Sequence, residues 1–168
     1  MNLSFIRPVI NYLGFSICWY GLVKYGNAAA IPVLIYIVIH LFIQANRKLE
    51  IITIGSVTLI GFIVDTIMLH ANVILFSNNS SLLPLWFIML WCNFSSTLNH
   101  ALKIFSKLNF FINMILGGVG GVVIFLLGDN ISNTFSLNHE LLYLIGIEWS
   151  LVFAGGILMA KKFRTYFS

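Results

Sequence analysis

The chain has 168 residues, 60% of them hydrophobic and 8% charged, where soluble domains carry about 25% charged residues. With a mean hydropathy of +0.98, it cannot cover a globular surface with polar groups, so a water-soluble domain is excluded and lipid is the main solvent. The net charge of +4 does not point to nucleic acid, because the basic residues are scattered at the ends of apolar runs, where membrane topology needs them.

A helix needs about 20 apolar residues to cross the hydrocarbon core. Segments 7–24, 28–45, 50–71, 83–103, 109–127 and 141–160 meet that length or nearly so. None shows the alternation of a barrel strand, and backbone polar groups in lipid must be satisfied internally. The predicted fold is all-α: a polytopic membrane protein, one six-transmembrane-helix bundle spanning 1–168 as a single domain.

The first run carries Arg7, Cys18 and Trp19 and leads to Ala28, Ala29 and Ala30. A charged start, an apolar run and small residues resemble a secretory signal. Its removal would leave five spans and an outward N-terminus, so the run is read as a retained span. The second run ends near His40 and is followed by the charged connector NRKLE at 46–50. Cys18 and Cys92 lack CxxC spacing and lie in apolar runs, where a thiol serves as a small packing group.

In the third run, Glu50, Ile54, Thr58, Gly61 and Asp65 recur at helical spacing along one stripe. Gly61 would let a neighbouring helix approach beside Asp65. The polar connector SNNSS at 77–81 follows.

The fourth run, PLWFIMLWCNFSSTLNHAL at 84–102, opens like a lipid-facing span and then fills with Asn93, Ser95, Ser96, Thr97, Asn99 and His100. Trp86, Leu90, Asn93, Thr97 and His100 share one face at 100° per residue. Each unpaired polar group in an apolar medium costs several kcal/mol, so this helix belongs at the centre of the bundle. Trp86 and Trp149 are placed near the outer interface, where aromatic belts form. Trp91 is deeper, and its N–H needs a partner.

GGVGG at 117–121 lies inside the apolar fifth run with no preceding strand. It reads as a close helix contact rather than a phosphate loop. The longest loop, 128–140, carries Asp129, His139 and Glu140, and the sixth run carries Glu148, Gly155 and Gly156.

Charge sets the orientation. Arg7, Arg47, Lys48, Lys103, Lys107, Lys161, Lys162 and Arg164 fall on one side of six spans, and only Lys24 on the other. The positive-inside rule makes both termini cytoplasmic.

Carboxylates inside a membrane are functional candidates by default, which singles out Asp65 and Glu148 as intramembrane binding residues together with Trp86, Asn93 and Thr97. His40, Glu50 and His100 fall at one cytoplasmic depth and form a candidate catalytic layer. Two histidines and a carboxylate could relay protons or bind a metal. Each comes from a different helix, so the spacing is not diagnostic, and no residue is assigned as a metal ligand. No nucleophile elbow, HExxH, Walker loop or haem spacing is present, and no cofactor can be read.

Trp19 in the first span, His40 ending the second, Glu50 and Asp65 in the third, and PLWxxxLWxxFxxTLxHxL in the fourth resemble a family of small bacterial inner-membrane proteins catalogued as a domain of unknown function. Pro84, Leu85, Trp86, Leu90, Trp91, Phe94, Thr97, Leu98 and His100 carry the fourth-span pattern, and the Gly-rich fifth span with Gly128 also fits. Genes of the family often lie near genes for fatty-acyl modification. That resemblance implies a role in membrane-lipid chemistry, as an enzyme or as the partner of a lipid-modifying enzyme, with membrane lipids as ligands. A small proton-coupled transporter, using Asp65 and Glu148 as an outer site, and a scaffold without a site are the alternatives.

Overall fold

A computed structural model describes residues 3–77 and 81–167; residues 78–80 of the SNNSS connector lie outside the described residues. The chain runs α1 (Leu3–Tyr25), α2 (Asn27–Ile43), α3 (Arg47–His70), β1 (Ile74–Phe76), α4 (Leu85–Ser95), a 3-10 segment (Ala101–Lys107), α5 (Phe110–Ile131), β2 (Phe135–Leu137) and α6 (Leu142–Tyr166). Three helical stretches among the described residues are long and apolar enough to cross a membrane: Arg47–His70, Phe110–Ile131 and His139–Tyr166. α2 and α4 are apolar but shorter.

α1 and α2 are separated by one residue, Gly26, at φ 57° and ψ −133°. That backbone conformation is closed to residues with a Cβ, and it allows the chain to reverse without a loop. The N-termini of the next helices are satisfied by side chains: Asn46 Oδ1 accepts from the Leu49 amide at 3.1 Å and Asn109 Oδ1 from the Ile112 amide at 2.8 Å. In α4, Asn27 Oδ1 does the same for the Trp86 amide at 3.1 Å, tying the start of α4 to the start of α2.

The two connectors expected as plain loops contain a short antiparallel ladder, with Ile74 opposite Leu137, Leu75 opposite Ser136 and Phe76 opposite Phe135. Alternate residues point inward, so Ile74, Phe76, Phe135 and Leu137 are buried while Leu75 is exposed. Three-residue strands give too little pattern to be read from sequence. The ladder covers an aromatic cluster of Phe76, Trp86, Phe87, Phe125 and Phe135. Trp86, expected at the interface, is 3% exposed and part of that cluster, because the ladder roofs the position it would otherwise present outward.

The larger difference lies in the fourth run. The expected helix over 83–103 stops at Ser95, and residues 96–100 form turns before the 3-10 segment. The hydroxyls of Ser95, Ser96 and Thr97 bond back to the carbonyls of Trp91, Asn93 and Phe94 at 2.6, 2.7 and 2.6 Å. Such side chains offer the backbone an alternative to the helical ladder. The freed groups find partners from other elements: Asn11 Nδ2 donates to the Ser96 carbonyl, the Ala101 amide donates to Asn11 Oδ1, and Arg164 Nη1 donates to the Leu98 carbonyl. Asn93, Ser95, Ser96, Thr97, Leu98 and Asn99 are all buried, so the expected central position holds even though the helix is broken.

α5 packs on α6 through its glycines. A Cβ on Gly117 would sit 2.5 Å from the Trp149 carbonyl, and one on Gly118 or Gly121 would collide with Ser150 or Trp149. GGVGG is therefore a packing surface, as expected.

Candidate functional site

Two polar constellations occupy opposite ends of α3. Glu50 and Asp65 are 15 residues apart, roughly 22 Å along a helix rising about 1.5 Å per residue.

At one end, the structure brings His40, Glu50 and His100 together. Glu50 lies in the first turn of α3, His40 near the end of α2, and His100 in the unwound stretch after α4, at φ −124° and ψ −96°. His100 Nε2 is 3.1 Å from Glu50 Oε1, and His40 Nε2 is 3.5 Å from Glu50 Oε2. The imidazole rings meet edge to face, with centroids 5.0 Å apart and an interplanar angle of 87°. His40 is 5% exposed and Glu50 3%. The longer contact is an ion-pair distance without hydrogen-bond geometry, so His40 Nε2 and Glu50 Oε2 have no hydrogen-bond partner among the described residues. One donor atom from each residue lies within 4.8 Å of the other two, so the three could hold a metal ion.

The support around this layer was not legible in advance. Arg164 Nη1 donates to Asn99 Oδ1 at 2.8 Å, and Asn99 Nδ2 donates to Thr53 Oγ1 at 3.1 Å. Thr53 lies one turn beyond Glu50 on α3. The chain Arg164–Asn99–Thr53 thus clamps the segment that carries His100 onto the helix that carries Glu50. The only sequence signal for it was that polar residues recur there.

At the other end, Asp65 is fully buried, and the Trp91 indole Nε1–H donates to its Oδ2. Gly61 makes this possible: it lies one turn before Asp65 on the same face, and any Cβ there would overlap the Trp91 ring. Glu148 of α6 lies beside Asp65. No N–H or hydroxyl among the described residues reaches the Glu148 oxygens. Trp149, placed beforehand at the interface, instead stacks on Trp91 with centroids 5.2 Å apart at 14°, drawn inward by the glycines of α5.

Between the two ends lies a cavity of about 330 Å³. α1 provides Tyr12, Phe15, Trp19 and Val23 on one side, and α5 provides Leu116, Gly120 and Ile124 on the other. Val23, Gly128 and Phe135 line it toward the ladder and Thr97 and Leu102 toward the other end, and Asp65, Trp91 and Trp149 also line it. Tyr12 and Leu116 at its rim are 55% and 43% exposed, so the cavity opens sideways between α1 and α5. Of the residues predicted for binding, Asp65 and Thr97 line this space. Glu148 backs Asp65, Trp86 belongs to the roof cluster, and Asn93 is used to hold α1, its Nδ2 donating to the Phe15 carbonyl at 3.0 Å. Phe15, Trp19 and Gly120 were not singled out as cavity residues, because an aromatic or glycine in an apolar run carries no sign of which surface it faces.

Neither the curated proteins nor the solved structures hold a match to this chain. Residues 8–155 match the family described as Protein of unknown function (DUF2878), and with most of its length covered by that match the chain belongs to this family.

Proposed function

We propose that the chain is a six-span protein of the bacterial inner membrane, with both termini cytoplasmic, that takes an acyl chain into its lateral cavity in the service of membrane-lipid modification, as an enzyme or as an accessory subunit. The observation that carries this reading is the cavity itself: aromatic, open sideways between α1 and α5, and lined by a single carboxylate, Asp65. Apolar pockets with a few placed polar groups are the ordinary form of a small-molecule site, and a sideways mouth between apolar helices admits a ligand from lipid rather than from water.

The topology draws support from how the connectors pair. β1 and β2 join the α3–α4 and α5–α6 connections at one end, where Lys24 Nζ reaches the Ile131 carbonyl. At the other end, Asn46 Nδ2 donates to the Phe167 carbonyl and Arg164 reaches Leu98 and Asn99. The basic residues Arg47, Lys48, Lys161, Lys162 and Arg164 gather there, as a cytoplasmic face requires. The break in α4 also suits a membrane setting, since irregular backbone at membrane depth is tolerated where it is buried in protein or lines a cavity. In this reading His40, Glu50 and His100 are the groups available for chemistry near the lipid headgroups, and Thr97, three residues before His100, lines the cavity.

A proton-coupled carrier is the second reading, favoured by one observation: the buried Asp65 carboxyl, beside Glu148, lines the cavity.

The test is cross-linking with a diazirine fatty acid in reconstituted membranes, read by peptide mapping. Labels are expected on cavity-lining segments of α1 and α5. They should fall several-fold in Gly120→Phe, where nothing lies within 4 Å of an added Cβ and the larger side chain fills the mouth. Labelling spread evenly over lipid-facing residues such as Ile35 and Phe42, and unchanged by Gly120→Phe, overturns the reading. Comparative lipidomics of a deletion strain then separates lipid modification, which changes acyl composition, from a carrier, which does not.

A further inference from the structure

We propose that His40, Glu50 and His100 form a binding site for a divalent transition metal, with zinc or ferrous iron as the ligand class. Two imidazoles and one carboxylate are a recurrent ligand set for both ions, and three protein ligands leave a position open for water or a substrate oxygen. The inference does not depend on the acyl-chain reading, because that reading is carried by the cavity and this one by the geometry of the three side chains.

Geometry supports it first. Zinc bonds to nitrogen and carboxylate oxygen of about 2.0–2.2 Å place neighbouring tetrahedral donors roughly 3.4 Å apart. The two carboxylate–imidazole separations are 3.1 and 3.5 Å, and all three donor atoms fall within 4.8 Å of each other. Both histidines present Nε2 to the same carboxyl group, one to each oxygen.

The second support is independent of spacing. His40 and Glu50 are more than nine-tenths buried, yet His40 Nε2 and Glu50 Oε2 face each other without making a hydrogen bond. Buried polar atoms are paired in the large majority of cases, and a cation between these two atoms supplies a partner to both. The third is rigidity. The Arg164–Asn99–Thr53 chain fixes the backbone beside His100 against α3, and metal sites depend on such outer hydrogen bonds to hold their ligands in place. Arg164 is committed to Leu98 and Asn99, so its guanidinium acts as a clamp while the Glu50 oxygens remain turned toward the histidines.

The experiment uses the full chain in lipid nanodiscs, stripped with a chelator and titrated with Co²⁺ as the probe. One Co²⁺ per chain is expected, with visible ligand-field bands of a four- or five-coordinate centre that Zn²⁺ abolishes. His40→Ala, His100→Ala and Glu50→Gln should each weaken Co²⁺ binding by more than about a hundredfold, since even outer partners of metal ligands are worth about 10–100-fold. His139→Ala should leave it unchanged, because His139 pairs with Asp129 at a separate, exposed position. X-ray absorption of the zinc-loaded wild-type chain needs no variant and should show two imidazoles around the ion. A wild-type chain that binds neither Co²⁺ nor Zn²⁺, a shell without imidazole, or binding lost equally in His139→Ala overturns the proposal. Failure of the fatty-acid labelling alone would leave this result untouched.

Discussion

The indole of Trp91 lies across the notch left by Gly61 and donates its N–H to the carboxyl of Asp65, one turn further along α3. A glycine, a tryptophan and an aspartate from two helices thus form one unit, in which the missing side chain at Gly61 is as necessary as the two that are present. Trp149 extends it by stacking on Trp91, and Glu148 by lying beside Asp65.

Gly61→Ala should destabilise the protein by about 1–3 kcal/mol, the usual cost of forcing extra atoms into a packed contact. It should also change the environment of Trp91. Gly55, on the exposed face of the same helix, has nothing within 4 Å of an added Cβ. There Gly55→Ala should be neutral or stabilising by about 0.5–1 kcal/mol. Thermal unfolding in detergent with tryptophan fluorescence as the readout separates the two. Equal effects would mean that Trp91 does not depend on the notch.

Asp65→Asn should be tolerated better than Asp65→Leu. The amide still offers an oxygen to Trp91 and gains a donor toward Glu148, whereas leucine strands both the indole N–H and the Glu148 carboxyl. Leaving buried polar groups without partners costs about 1–3 kcal/mol each. Thermal unfolding of the two variants measures the difference, and a leucine variant as stable as the asparagine one contradicts the account.

Arg164→Ala should loosen the stretch after α4. Its guanidinium holds the Leu98 carbonyl and the Asn99 side chain, and unwound backbone has few other bonds to keep it closed. Amide hydrogen exchange over residues 96–101 is expected to rise about tenfold or more, corresponding to about 1.4 kcal/mol of lost protection, while α5 is unchanged. Uniform protection in the variant would show that the clamp is dispensable.

Reporter fusions after Asn133 and after Phe167 should report opposite sides of the membrane. The first position lies at the end joined by the β1–β2 ladder, the second beside Asn46 at the basic end. The same side for both fusions would remove the six-span topology.

Much of the helical layout was legible because it follows from local composition. Long apolar runs and charged or polar breaks place α2, α3, α5 and α6 close to their expected limits. The stripe from Glu50 to Asp65 could be read as the inward face of α3, since polar groups spaced at helical period in an apolar run have nowhere else to go. The meeting of Glu50 with His100 and His40 followed from equal depth and facing stripes. That step needed the helices to be neighbours, which composition does not specify.

What the sequence by itself determined is therefore the solvent, the helical class, the inward faces and the residues that need partners. Each is set by the free energy of moving a group between lipid, water and protein, a property of the residue and its near neighbours. Tertiary structure alone decided where α4 breaks, which oxygen each histidine meets, and which aromatics line a cavity rather than a core. Ser95, Ser96 and Thr97 are compatible with a continuous helix; they become a break only because Asn11 and Arg164, 85 and 66 residues away from the carbonyls they bond, arrive to satisfy the backbone that the break releases.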